Sequence, residues 1–354
     1  MVELAQVLQR HWPQYERQFG EDILPSHRRA VQCILRCRTA ALGGEVYRCA
    51  DCQYDHFVYH SCNHRACPKC GHQAATQWIA RRKLHLLPVP YYLITFTVPE
   101  GLRAWLRSHQ KLGYSLLLQQ SAATLQEVAR RDKYLGAELG FLSVLHTWGR
   151  QLQFHPHVHC VVPAGGLRPD GLRWCRPKKP DFFLPQRVLA ARFRNRLKAA
   201  LNDQPQSADI PSQVWRQRWV VDVQPAGSGE AALQYLSAYV YRTALGSQRI
   251  LQDQDEQITF KYKDSEDAQW HTLTLAALEF LRRFLQHILP KGFQRVRYYG
   301  WLSPAAAARW ERILALLDWK PVRPCAADPC RQMLCPKCHQ PMAHLGSLPR
   351  CRSP

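Results

Sequence analysis

Residues 154–162 read Phe154-His155-Pro156-His157-Val158-His159-Cys160-Val161-Val162. A run of β-branched residues predicts a strand, and side chains alternate faces along a strand. His157 and His159 therefore point the same way, roughly 7 Å apart along the chain, while Val158 points into a core. Two imidazoles on one sheet face are half of a metal site, and neutral imidazole suits Zn, Mn, Fe or Ni. A pair of satisfied surface histidines is the plain alternative. His155 shares their parity, with Pro156 placing it at the strand entrance.

The neighbouring segments supply a sheet for this strand. Tyr91-Tyr92-Leu93-Ile94-Thr95-Phe96-Thr97-Val98 is rich in aromatic and β-branched residues and ends at Pro99. Phe141–Trp148 is a second strand, expected to pair with the histidine strand as a hairpin, and 219–223 is a fourth. Helical spacing covers about 101–134, 186–201 and 230–243, the last after Gly227-Ser228-Gly229. The order strand–helix–strand–strand–helix–strand predicts an α+β fold: an antiparallel sheet with helices on one face, the split βαβ (ferredoxin- or RRM-like) arrangement.

On the helix after the fourth strand, Tyr235 and Tyr239 are four apart and so neighbours on one helix face. Core packing is the plain reading of such a pair. Beside a metal-binding strand they suggest phosphodiester transesterification. A phenol of pKa near 10 is a poor nucleophile at neutral pH, and a divalent ion binding the phosphate offsets this. The ester energy is kept in a phosphotyrosine, so a later hydroxyl can reverse the step.

The chain of 354 residues carries a net charge of +21, mostly from arginine, with a pI near 9.7. That field favours a polyanion, and arginine's planar fork suits phosphate. No apolar stretch reaches the ~18 residues of a membrane span, and the start lacks a basic-then-apolar signal pattern. Nucleic acid, met in a cytoplasm, is the expected partner. There are 14 cysteines. Cys49/Cys52 and Cys67/Cys70 have the spacing of a four-thiolate structural zinc ribbon. His56, His60, His64, His72 or Cys62 offers a substitute ligand, and Cys62 can instead join Cys37 or His27 in a second site. Cys335/Cys338 suggest another zinc knuckle, its remaining ligands open among Cys325, Cys330 and Cys351.

Several stretches together resemble one family. They are Ser61-Cys62-Asn63-His64-Arg65-Ala66-Cys67-Pro68-Lys69-Cys70, His146-Thr147-Trp148-Gly149, His155–Cys160, Tyr235-Leu236-Ser237-Ala238-Tyr239-Val240, and Phe280–Phe284 with Leu289–Phe293. His157-Val158-His159 followed by the two-tyrosine helix is similar to the two-tyrosine HUH endonucleases. Within them the chain resembles the transposases of insertion sequence family 91, over about residues 15–340. The resemblance implies single-strand nicking at element ends through a 5′-phosphotyrosine, strand transfer of the rolling-circle type, and catalytic Mg²⁺ or Mn²⁺ besides structural Zn²⁺. Partners would be single-stranded or hairpin DNA ends, with host helicase or replication factors, since the chain has no Gly-x4-Gly-Lys-Ser/Thr loop. HUH enzymes recruit a third metal ligand, for which Gln234, Glu230, Gln151 and His155 are the candidates.

These readings divide the chain into a helical and zinc-ribbon DNA-binding domain (1–87), an HUH domain (88–250), an accessory DNA-contacting region (251–320) and a zinc knuckle (321–354). Arg81, Arg82, Arg242, Arg282, Arg283, Lys291, Arg295 and Arg297 are the expected DNA contacts, the last three interleaved with aromatics in a pattern suited to single strands. Competing readings are a non-catalytic zinc-ribbon DNA-binding regulator and a metal-dependent hydrolase without a covalent adduct.

Overall fold

The computed structural model describes residues 2–83, 85–179, 182–231, 233–234, 244–264, 267–321 and 332–351. The chain forms two compact units, each drawn from separated segments. One comprises Met1–Ala74, Tyr241–Ile288 and Arg323–Pro354. The other comprises Ala75–Val240 and Leu289–Val322. The four consecutive domains expected from sequence are therefore corrected to an interleaved arrangement.

In the first unit, α1 (Leu4–Phe19) and α2 (Pro25–Arg36) lead into the ribbon strands β1 (Gly44–Cys49) and β2 (Asp55–Tyr59). The second helix stops at Arg36, short of the expected Gly43-Gly44. Helix α3 (Pro68–Lys83) follows the ribbon.

The second unit is built on a five-stranded sheet. Its strands are β3 (Tyr91–Thr97), β4 (Phe141–Trp148), β5 (Phe154–Pro163), β8 (Val220–Pro225) and β12 (Val296–Tyr299), in the order β12-β4-β5-β3-β8. Every pairing is antiparallel, so β3 and β4 run parallel with β5 between them. The short strands β6 (Gly166–Leu167) and β7 (Trp174–Cys175) form a separate ribbon. The edge strand β12 comes from beyond residue 288, which is why the expected accessory region does not stand as one piece.

Strand parity decides the layers. Ile94, Phe96, Val158, Cys160, Val162 and Val221 pack against α4 (Arg103–Ser108), α5 (Gln110–Ala129) and α6 (Gln186–Asn202) in one core. Helix α5 is apolar nearly all round and is correspondingly buried. Helix α6 puts Leu189, Phe193, Leu197 and Leu201 inward at intervals of four and keeps its arginines outside. Arg192 and Arg196 reach Glu127 of α5 at 3.4 and 3.1 Å, partly exposed pairs worth little beside the core.

The remaining segments return to the first unit. There β9 (Ile250–Gln254), β10 (Gln257–Lys263) and β11 (Trp270–Ala276) make a three-stranded sheet backed by α7 (Ala277–Leu285), with Phe260 against Phe280. Helix α8 (Ala307–Leu316) belongs to the second unit. Strand β13 (Met342–Leu348) pairs antiparallel with β1, so the expected terminal knuckle is part of the ribbon sheet rather than a separate module. No helix among the described residues is long and apolar enough to cross a membrane.

Phe96 is 1% exposed and meets Phe193 edge-on at 5.0 Å between ring centroids. Phe96→Ala is expected to cost about 3–5 kcal/mol in urea unfolding, from lost transfer energy plus a cavity. Leu172→Ala, at a residue 67% exposed, is expected to stay within about 0.5 kcal/mol of the parent.

Candidate active site

The sheet face opposite the helices carries the histidines. In the β4–β5 register His146 stands directly across from His157, and Val144 across from His159. On the other side Thr95 stands across from His159 and Thr97 across from His157. The β4–β5 pairing shifts between His146 and Trp148, an irregularity of the kind that re-aims side chains beside sites. Strand β5 begins at Phe154, so Pro156 lies inside it, next to this shift, where a missing ladder donor is tolerated.

Three imidazoles converge there: the ligand nitrogens of His146, His157 and His159 all lie within 4.8 Å of one another. His146 is 1% exposed and His159 7%. The Nε2 atoms of His157 and His159 are 3.1 Å apart. Nitrogens about 2.1 Å from one ion at right angles would be about 3 Å apart, so this spacing fits a shared divalent ion. The neighbours of the two rings fit it as well. His157 Nδ1 donates to the His155 carbonyl at 2.7 Å, which leaves Nε2 as a bare lone pair. Thr95 Oγ1 lies 2.9 Å from His159 Nδ1. A hydroxyl can donate or accept, so Thr95 serves either tautomer, and by accepting it frees Nε2 of His159 for a metal.

Burial pushes the His157 imidazole down to about 4, and burial followed by the neighbouring His157 charge pushes His159 well below the usual range. Both rings are thus neutral at physiological pH, the form that binds metal.

His146, which was not among the third-ligand candidates read from sequence, stands with His157 and His159 as the third imidazole of the group. The His155 ring stands outside the group, while its carbonyl orients His157. Glu230 pairs with Lys83 at 3.2 Å, and Gln234 is exposed on a helix that begins at residue 229. Missing His146 was a matter of register: only the hairpin pairing puts it opposite His157. Tyr235, Tyr239 and Arg242 lie outside the described residues.

The cysteines form two groups of four, Cys37/Cys62/Cys67/Cys70 and Cys49/Cys52/Cys335/Cys338. This corrects the single ribbon site of Cys49, Cys52, Cys67 and Cys70. The Cys67-x2-Cys70 turn opens α3 and meets Cys37, the residue that ends α2, with Cys37 and Cys62 each 3.5 Å from Cys70. A hydrogen bond from Cys62 draws Cys67 down to about 5, and burial pushes Cys37 up to about 12. Thiols packed this closely share their protons unevenly, and a tetrahedral Zn²⁺ with thiolate ligands suits the donor set.

The expected DNA contacts are dispersed over both units. Arg81 and Lys291 are exposed. The Arg82 guanidinium sits 4.4 Å from the Tyr298 ring centroid, and Trp78 Nε1 donates to the same tyrosine's hydroxyl at 3.2 Å. Arg282 and Arg283 both bind the Glu279 carboxylate, at 2.6 and 2.7 Å, and Arg282 first among them holds it near 2. The backbone carbonyl of Arg295 accepts from Leu145. Arg297 stays half-exposed, and β12 parity turns it to the helical face, where it donates to Ser115 Oγ at 3.2 Å.

If the imidazole cluster is one metal site, His146→Ala is expected to lower Mn²⁺ affinity as far as His157→Ala does in calorimetric titration. Thr95→Val is expected to cost about 10–100-fold, the usual cost of losing a group that orients a ligand. Because burial depresses the His157 pKa to about 4, affinity should hold down to about pH 5 and fall below it. A fall centred near 6.5 would contradict that environment.

Known proteins can now be set beside this geometry. A family model described as "Putative transposase" matches residues 140–309, and one described as "Transposase zinc-binding domain" matches 7–98. The "Putative transposase y4qJ" of Sinorhizobium fredii is 38% identical over 321 residues, covering 85% of this chain and 80% of its own. The transposase for insertion sequence element IS801 of Pseudomonas savastanoi pv. phaseolicola is 30% identical over 295 residues, covering 77% and 69%. A solved structure titled "Conjugative Relaxase TrwC in complex with OriT Dna. Metal-free structure." covers 65% of this chain and 73% of its own at 14% identity. Its TM-score of 0.25 is too low to bear on fold or function. On the identity and coverage of the two transposases, together with the zinc-binding match at its amino-terminal end, the chain belongs to the transposases of insertion sequence family 91 with an N-terminal zinc-binding domain.

Proposed function

We propose that this transposase is an HUH-type enzyme that nicks single-stranded DNA at the ends of its element and transfers the strand through a 5′-phosphotyrosine. The observation that carries the reading is the three-imidazole cluster on the sheet face opposite the helices. A packing role for these residues does not call for three mutually facing ring nitrogens, so the non-catalytic regulator is disfavoured. The strand order β4-β5-β3-β8 is that of the split βαβ arrangement, which supports the HUH fold.

His146, His157 and His159 would hold Mg²⁺ or Mn²⁺, which when bound would neutralise charge on the scissile phosphate and orient it. Thr95 and the His155 carbonyl keep the two β5 imidazoles turned toward the same point. Tyr235 and Tyr239, four apart in the sequence, are the proposed nucleophiles. A tyrosine oxygen bonds to phosphorus, the bond to the 3′ oxygen breaks, and the phenolic proton passes through solvent to that leaving oxygen. The 5′-phosphotyrosine and the free 3′ hydroxyl retain the ester energy, so a later 3′ hydroxyl reverses the step on a new strand. Two tyrosines allow two strand ends to be held in succession. Arg81, Arg82, Lys291 and Arg295 of the unit with the sheet are the proposed phosphate contacts, joined by Arg242 and by Arg282 and Arg283 of the other unit. Single-stranded or hairpin ends, and host factors that open the duplex, are the proposed partners. Action in the bacterial cytoplasm at the nucleoid completes the proposal.

The test is a denaturing gel of the protein incubated with labelled single-stranded DNA of the element's ends and Mn²⁺. Wild type is expected to give a heat- and detergent-stable adduct. Chelator, His146→Ala or His157→Ala should reduce it by about 100-fold or more, the scale of losing transition-state charge stabilisation. Tyr235→Phe combined with Tyr239→Phe should abolish it. Cleavage without an adduct would establish hydrolysis instead, and zinc-dependent binding with neither would establish the regulator.

A further inference from the structure

We propose that Cys49, Cys52, Cys335 and Cys338 hold one structural zinc that locks β13 onto β1, so that the zinc-binding module is completed only by the far end of the chain. The proposal is independent of the nuclease reading. It also reaches beyond residues 7–98, which match the zinc-binding family, to a ligand pair almost 240 residues downstream of that match.

Three Sγ pairs define the cluster: Cys49–Cys338 at 3.4 Å, Cys52–Cys335 at 3.5 Å and Cys52–Cys338 at 3.6 Å. Thiolates at about 2.3 Å around a tetrahedral zinc would be about 3.8 Å apart, close to what is seen. Four thiolates close the coordination sphere, which marks a structural rather than a catalytic ion.

The two Cys-x2-Cys turns also match each other in backbone detail. The N–H of Cys49 donates to the carbonyl of Tyr54, five residues on, and the N–H of Cys335 donates to Gln340, also five on. The N–H of Gln53 returns to the Cys49 carbonyl, as that of His339 does to Cys335. Gln53 and His339 occupy the same turn position and both take the left-handed conformation, at φ 56° and 62°. Non-glycine residues seldom adopt that conformation, so its repetition at matched positions identifies two copies of one metal-binding turn.

Contacts along the strands support the same closure. The Glu45 carboxylate of β1 accepts from His344 Nε2 and Ser347 Oγ of β13, each at 2.7 Å. Tyr47 of β1 lies against His344, and Lys337 Nζ sits 4.4 Å from the Tyr54 ring centroid. Gly43, at φ +70°, is pressed against the Leu348 carbonyl, where any β-carbon would collide. That glycine is shaped for the carboxy-terminal strand.

Zinc content of the purified full-length chain, with the melting temperature of each variant, tests the proposal. Wild type should carry two zinc ions, one per cysteine group. C49S/C52S and C335S/C338S should each lose one and lower the melting temperature equally. Their combination should still lose only one, because both pairs serve the same ion, while C325S/C330S should lose none. Loss of two ions in the combined variant, or retention of both in C335S/C338S, would overturn the proposal. Where a serine variant does not fold, C52H and C338H keep a ligand. After cobalt substitution both should shift the same one of the two thiolate-to-cobalt bands, and shifts in different bands would equally refute a shared site.

Discussion

The two-residue period of β5 is the constraint on which the unit with the five-stranded sheet rests. Its even residues Val158, Cys160 and Val162 close the core against the helices, and its odd residues His157 and His159 face away from it. A slip of one residue against β4 or β3 would move both imidazoles among leucines and phenylalanines and turn the valines to the histidine face. The hydrophobic packing that stabilises the sheet therefore also aims the histidines. With β5 held centrally between β4 and β3, it can draw His146 from one neighbour and Thr95 from the other.

The same core sets the chemistry of the cluster. Burial disfavours charged imidazole, so the rings stay neutral in a chain of net charge +21. Neutral rings bind cations without first releasing protons. The His155 carbonyl, from β5 itself, orients one ring, and Thr95, from the neighbouring β3, orients the other.

The zinc ribbon of the first unit is stabilised differently. Its ribbon strands are short and half exposed, with little apolar surface to bury. Two thiolate clusters suit a module of this size, because metal binding contributes directly to folding where a core cannot. The basic residues follow a similar division of labour. Some guanidiniums also bond within the protein, as half-exposed Arg297 does to Ser115, while Arg81 stands exposed.

Local patterns in the sequence determined a good deal of this protein. The alternation around His157 and His159, the hairpin to Phe141–Trp148, the helix over 186–201 and the antiparallel α+β class were all legible, because strand and helix periods act over a few residues. So were the Cys-x2-Cys turns as metal ligands, and the family. What only tertiary structure decided were the pairings between distant segments. His146 became the third imidazole through register, Arg297 turned to the helical face through the parity of an edge strand added after residue 288, and the cysteine pairs changed partners. Residue spacing records which turns can offer metal ligands, but the choice of partner turn depends on chain segments nearly 300 residues apart meeting in one sheet, as β1 and β13 do.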